Sequence, residues 1–293
     1  MDAERHSRTA HGVALHRAAH QLLDRPPIFA DPLALAVVGT RARRALEADP
    51  LRWERRPFAD RLRAFLAVRS RLAEDALAAA VAGGVTQYVV LGAGLDTFAL
   101  RDPYGSLRVF EVDHPATQAW KRRLLAEAGL APPPSLAFVP VDFERQDLAH
   151  ELAAAGFDPS RGAAVAWLGV VPYLERDAVL ATLQWAAGAV GDAGVLVFDY
   201  GAPAPRWHIG LRLAAWRLAS RVAAAGEPFR TLFRPAELAE VLRGSGFGDV
   251  EDLDGDALTE RFCSGRADGL KVGGLAHVVV SRRGVTEGGT RGT

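Results

Sequence analysis

The sequence predicts an α/β domain built on a doubly wound, mostly parallel seven-stranded sheet with an antiparallel hairpin at one edge. Three observations lead there. Beyond residue 84, short apolar runs alternate with longer helical stretches, the pattern of parallel strands joined by crossover helices. The first of these runs ends in a glycine-rich loop, as strands do where a nucleotide approaches a sheet. The last two strand-like segments follow each other across a long loop, which suits a hairpin added to the sheet's edge.

The elements follow in order. Leu15, Ala18, Ala19 and Leu22 recur at helix spacing in the first segment. Ala30–Val38 predicts a second helix, with Asp31 as its cap and Pro32 at its first position. A long helix is expected from about Asp60 to Ala82, stopped by Gly83-Gly84. Strands are predicted at Tyr88–Leu91, Leu107–Val112, Leu136–Val141, Ala163–Leu168 and Val195–Phe198, with helices near 115–129, 145–155 and 175–190 between them. A helix near Pro235–Arg243, the segment Gly246–Val250 and a strand at Leu275–Ser281 close the chain. Residues 1–84 are read as an N-terminal helical cap within the same domain, 85–283 as the core, and 284–293 as a disordered tail.

Composition narrows the function. The 293 residues are long enough for one large core, and 49% hydrophobic with 24% charged residues is ordinary for a globular chain. Thirty-five basic residues balance 35 acidic ones, so the whole molecule has no electrostatic pull toward nucleic acid or an anionic membrane. Cys263 is the one cysteine, which excludes an internal disulfide and a cysteine-based zinc site. Charges in Met1–His6 stand where a signal peptide needs an apolar run, and no run of apolar residues is long enough to span a bilayer. The expectation is a cytoplasmic chain whose partner is neither nucleic acid nor membrane.

The most informative segment is Gln87–Thr97, where an apolar strand meets Gly92-Ala93-Gly94. Glycine permits unusual backbone angles there and lets a ligand lie against the main chain. A dinucleotide fingerprint needs Gly or Ala where Thr97 stands, so a pyrophosphate is disfavoured. The second strand ends in Glu111-Val-Asp113, and a carboxylate at that place can accept both hydroxyls of a ribose. The residues favour a nucleoside cofactor without pyrophosphate over a dinucleotide or a plain tight turn.

Further strings make a resemblance specific. They are Thr9-Ala10, Val13-Ala14, Arg17-Ala18, Asp31-Pro32, Arg69-Ser-Arg, Leu91-Gly-Ala-Gly-Leu-Asp-Thr97, Phe110-Glu-Val-Asp113, Val139-Pro-Val-Asp142 and Tyr173-Leu174. Together they resemble the leucine carboxyl methyltransferase family, in particular its bacterial small-molecule O-methyltransferases, over residues 7 to 281. The resemblance implies a Rossmann-like methyltransferase fold and S-adenosyl-L-methionine as cofactor. It places Arg69 on the cofactor's carboxylate and Gly92, Ala93 and Gly94 along its amino-acid part. Asp113 takes the ribose with His114 beside it, and Asp142 and Phe143 frame the adenine. Leu168 stands where family members commonly carry Glu, and no Lys precedes Lys121 to match an N-terminal family Lys, a place that Arg17 could fill. The implied reaction is O-methylation of a small-molecule or peptide carboxylate, or of a phenolic hydroxyl, in bacterial secondary metabolism. A catalytically inactive binding module and a nicotinamide-dependent oxidoreductase are the rival readings.

Remaining features are weighed against plainer ones. His16 and His20 lie one helical turn apart, but without H-E-x-x-H they read as surface histidines. Ten Arg between residues 41 and 71 read as a solvated helical face. Arg206, Trp207, His208, Arg212 and Trp216 follow the fifth strand, where a substrate-facing lid and a packed amphipathic helix are both open. Tyr173 is a further substrate-side candidate. No metal site is expected. A carboxylate acceptor is already ionised and needs no base, whereas a phenol or alcohol would want one, and His208 is the nearest candidate.

Overall fold

The computed structural model describes residues 8–283 apart from 54, 56–57, 205–219 and 221–227. One seven-stranded sheet runs in the order β3-β2-β1-β4-β5-β7-β6. Its strands are β1 Gln87–Leu91, β2 Arg108–Asp113, β3 Leu136–Pro140, β4 Ala164–Trp167, β5 Val195–Gly201, β6 Phe247–Leu253 and β7 Ala276–Arg283. The first five pair in parallel, while β7 is antiparallel to both β5 and β6. The helices are α1 Arg8–Leu23, α2 Thr40–Ala48, α3 Ala59–Ala82, α4 Phe98–Arg101, α5 Pro115–Glu127, α6 Leu148–Ala154, α7 Arg176–Ala189, α8 Pro235–Gly244 and α9 Gly255–Cys263.

Alternation along the strands sorts the core into layers. Tyr88 and Val90 of β1, Ala166 of β4 and Val197 of β5 face α3, meeting Phe65, Val68, Leu72 and Ala76. Val89, Leu91, Val165 and Phe198 face the other way, against Leu152 of α6, Leu183 of α7 and Leu238 of α8. A third cluster packs Ala14, Ala18 and Ala19 of α1 against Leu95 and α5. Both sheet faces are covered, which is why the central strands read as unbroken apolar runs. Helix starts follow local chemistry: the His114 side chain accepts the Ala116 N–H ahead of Pro115, while Asp147 and Asp254 cap α6 and α9.

Several expectations are corrected. Residues 32–38 form successive turns, not a helix, and α2 begins only after Gly39, whose φ is +87°. The Asp31 carboxylate still caps this segment, its Oδ1 accepting the Leu33 N–H at 3.1 Å, while its Oδ2 is held by Arg17 and Thr97. The connection between β6 and β7 holds a helix, α9, where a loop was expected. Past the glycine turn the chain makes only one helical turn, α4. The expected strand at residues 195–198 runs on to Gly201, and this extension carries Asp199.

His20 is not a surface histidine but is buried. Its Nε2 accepts the Phe29 N–H, so Nδ1 carries the proton and donates to Asp24 at 2.5 Å. Arg63 of α3 grips both oxygens of the same carboxylate at 2.8 and 2.9 Å. Burial opposes the Asp24 charge, but the bonds from His20 and Arg63 outweigh it and hold the carboxyl down at about 2. Because the folded value lies below the unfolded one, this stabilisation is complete above about pH 4 and is lost as pH falls toward 2. Asp24→Asn removes the buried charge that both His20 and Arg63 bind and is expected to cost about 3–5 kcal/mol. The melting temperature of the variant should also fall less steeply than that of the wild type between about pH 5 and pH 3. Parallel slopes would remove Asp24 from the acid response.

Candidate functional site

The carboxyl ends of β1, β2 and β4 open onto a cavity of about 270 Å³. Gly92 and Gly94 lie at its centre with φ of +67° and +50°, a region that side chains rarely adopt. A Cβ on Gly92 would stand 2.2 Å from Val170 Cγ2, and one on Gly94 would stand 3.3 Å from Ala10 Cβ. These glycines therefore let the β4 loop and helix α1 close on the turn, a packing role beyond the ligand approach expected of them. Ala93 lines the cavity between them.

Asp113 ends β2 beside the turn. Its Oδ2 accepts the Gly94 N–H at 2.5 Å and its Oδ1 accepts the His114 N–H at 2.7 Å. Both bonds orient the carboxylate at the edge of the cavity. His114 also lines the cavity, with Nδ1 occupied as the α5 cap and its pKa lowered by burial. Asp142 and Phe143 form the wall beyond β3, where Asp142 Oδ1 accepts the Glu144 N–H. Leu168 borders the cavity and packs its remaining surface against the α3 side of the core. Tyr173 lines the outer part, its ring 5.4 Å from that of Phe229. Arg206, Trp207, His208, Arg212 and Trp216 lie outside the described residues.

Arg69 lines the cavity from α3 and is itself paired: its Nη1 donates to Asp199 Oδ2 at 2.8 Å, with both side chains buried. Asp199 Oδ1 accepts the Gly169 N–H at 2.5 Å, so one carboxylate fixes both the arginine and the loop after β4. Gly169 has φ +73°, and a Cβ there would lie 2.8 Å from the guanidinium. Arg17, on α1, also borders the cavity. Its Nη2 donates to Asp31 at 2.6 Å, its Nη1 lies 3.6 Å from Asp96, and its buried Nε has no hydrogen-bond partner among the described residues.

Sequence reasoning missed Asp199, although a carboxylate inside Val-Leu-Val-Phe-Asp-Tyr is a visible signal in a buried strand. It also missed Tyr88, Glu74 and Asp96, which line the inner end of the cavity. The two acids are pushed in opposite directions. Burial raises Glu74 above the usual carboxylate range despite its pairing with Arg101. Burial also opposes the Asp96 charge, but Arg17, Lys121 and Arg101 outweigh it and hold that carboxyl below the usual range. At the outer end Arg230 bridges Glu144 and Glu175 at 3.0 and 2.8 Å.

A sheet of this order, with a glycine turn after β1 and an oriented carboxylate at the end of β2, defines a protein of the Rossmann-like methyltransferase class. The chain belongs to the leucine carboxyl methyltransferase family, whose model matches residues 10–187. It is 35% identical over 198 residues to YktD of Bacillus subtilis (strain 168), named as a candidate S-adenosyl-L-methionine-dependent methyltransferase; the match covers 67% of this chain and 65% of YktD. A similarly named relative from Frankia alni is 37% identical over 196 residues, covering 64% of this chain and 65% of its own length. The chain thus spans just under two thirds of these relatives. Among solved structures, a candidate methyltransferase from Thermobifida fusca YX matches with a TM-score of 0.54 at 21% identity, covering 85% of this chain and 92% of the other. A duf574 family protein from Streptomyces avermitilis MA-4680 matches with a TM-score of 0.55 at 16% identity, over 96% of this chain and 99% of the other. Both likenesses are of fold.

The Asp199–Arg69 pair yields a direct test. Asp199→Ala strands a buried guanidinium and is expected to destabilise the protein by about 3–5 kcal/mol in urea unfolding. Adding Arg69→Leu should recover part of that loss, because the uncompensated charge is gone. Strict additivity of the two substitutions would show that the pair is not coupled.

Proposed function

We propose that this chain transfers the methyl group of S-adenosyl-L-methionine to an oxygen, with a small-molecule or peptide carboxylate as acceptor. The observation that carries the reading is Asp113: a strand-end carboxylate bordering the cavity, oriented by two backbone N–H groups at the glycine turn where a ribose diol would lie. The cavity fits the rest of the group. Asp142 and Phe143 stand where an adenine would be framed, with Leu168 supplying apolar surface. Arg69, held by Asp199, and Arg17, whose Nε has no partner among the described residues, are cations that border the cavity and could meet a carboxylate.

When bound, the cofactor supplies a methyl group on a sulfonium, open to in-line displacement. The chain's part is then to position and to exclude water. The β4 loop, pinned through Gly169 to Asp199, and the strap at Pro228–Arg230, tied to Glu144 and Glu175, border the same cavity. A carboxylate acceptor arrives ionised, so positioning suffices for it. The fold does not by itself fix the acceptor, and bacterial secondary metabolism and a cytoplasmic setting belong to this proposal. Among the described residues no helix is long and apolar enough to cross a membrane.

Calorimetry with S-adenosyl-L-methionine and with NAD, followed by labelled methyl transfer to panels of carboxylates and phenols, tests the reading. Binding of the first ligand with turnover on carboxylates is expected. Binding without turnover on any acceptor would favour an inactive binding module, and preference for NAD would overturn the assignment. Asp113→Ala should raise the dissociation constant for S-adenosyl-L-methionine at least about tenfold, the loss of hydrogen bonds to a charged group. An unchanged constant in a folded variant would sink the ribose role.

A further inference from the structure

A charged pair lies buried behind the glycine turn, outside the cavity wall. Glu111 of β2 and Lys121 of α5 are each 2% exposed, and Lys121 Nζ donates to Glu111 Oε2 at 2.5 Å. Desolvating both groups is costly, and such a pair holds a fold together no better than apolar packing would. Helix α5 is also fastened without it: Gln118 Nε2 donates to the Glu111 and Val139 carbonyls at 2.8 and 3.0 Å, joining α5 to β2 and β3. Glu111 stands beside Val90 of β1 and Phe138 of β3 in the sheet register. It lies two positions before Asp113, about 7 Å away on the same face of the strand. The other ionisable groups that act on it or feel it are Asp96 of the glycine loop, Asp113 itself and Tyr88 of β1. Lys121 acts on Asp96 as well, and the Asp96 N–H closes the turn on the Ala93 carbonyl at 2.7 Å.

We propose that Glu111, balanced by Lys121, is the buried charge through which the site distinguishes the sulfonium of S-adenosyl-L-methionine from the neutral sulfur of S-adenosylhomocysteine. The inference rests on the methyltransferase reading above. Cofactor and product share adenosine, ammonium and carboxylate, and they differ by one methyl group and one positive charge. Side chains that touch the shared parts hold both ligands alike. A carboxylate behind the wall touches neither, and it acts on the extra charge through an interior that screens less than water does. Burial pushes the Glu111 carboxyl up to about 6 against the pull of Lys121, with Asp96 and Asp113 adding to the rise. Asp96, held low by Arg17, Lys121 and Arg101, stays ionised in that range. A bound sulfonium favours the ionised form of Glu111, so cofactor binding near this pH releases a proton to solvent. Affinity for the cofactor therefore falls as pH drops through about 6, while affinity for the product does not follow it. At neutral pH the ionised carboxylate favours cofactor over product, which limits inhibition by the product.

Calorimetry on the full chain with both ligands, between about pH 7.5 and pH 5, tests this through the ratio of their dissociation constants. The wild-type ratio is expected to move against the cofactor by at least about threefold as pH falls. Glu74 and His114 border the cavity too, the first raised and the second lowered by burial, so the decisive variants act on the buried pair. Glu111→Gln reproduces the protonated carboxyl and should flatten the profile at the low-pH value of the wild type. Lys121→Met removes the cation that opposes the rise, so it should move the midpoint to higher pH; it decides the matter if the glutamine variant does not fold. A wild-type ratio independent of pH, a glutamine variant with the wild-type profile, or an unmoved midpoint would overturn the role of Glu111 while leaving the cofactor reading intact. A wild-type protein that binds neither ligand would overturn both.

Discussion

The site depends on one buried carboxylate. Asp31, 1% exposed, receives Arg17 at 2.6 Å and the Thr97 hydroxyl at 2.9 Å, with Arg101 Nε at 3.7 Å. Arg17 comes from α1, Thr97 from the end of the glycine loop, and Arg101 from α4, which continues the contact through Glu74 to α3. Three segments, around residues 17, 31 and 97–101, thus meet on a single charge, and Arg101 links them to α3 through Glu74. Removing such an anion would take the nearest counter-charge from the buried Arg17 guanidinium, a far larger loss than any exposed ion pair represents. The same knot fixes the cavity's shape, because it sets α1 over the glycine turn, with Ala10 against Gly94.

This constraint recasts Thr97 and the string that contains it. In the sequence Thr97 argued against a dinucleotide and closed the string that carries the family resemblance. In the structure its hydroxyl donates to Asp31 and accepts from Arg17 and Arg101. The glycines of the same string serve packing and ligand access together. A motif that looks like a cofactor signature is therefore also the joint between the helical N-terminal region and the sheet.

The parallel core was legible because burial on both faces writes itself as apolar runs, and glycine and proline mark the boundaries. Asp113, Asp142 and Arg69 were legible because strand ends and family strings mark them, and all three line the cavity. What was not legible depends on contacts between distant segments. Residues 32–38 form turns although Asp31 caps them as expected, and the contacts of the same carboxylate to Arg17 and Thr97 are not visible in the local pattern. His20 looked like a surface residue until Asp24 and Arg63 closed around it. Tyr88 reads as an ordinary strand residue, and only the cavity beside α3 distinguishes it. Asp199 was visible as an acid in an apolar strand, but its partner lies 130 positions earlier.

These elements combine into a cavity whose charges are ordered: carboxylates toward the end of β2 and beyond β3, and arginines backed by Asp31 and Asp199 on the helical side. The most direct test of that order is a crystal structure with S-adenosylhomocysteine, the demethylated form of the cofactor. The account predicts its ribose hydroxyls on Asp113, its adenine beside Asp142 and Phe143, and its amino-acid end at Arg17 and Arg69. A nucleoside bound in reverse, or anywhere outside this cavity, would contradict it.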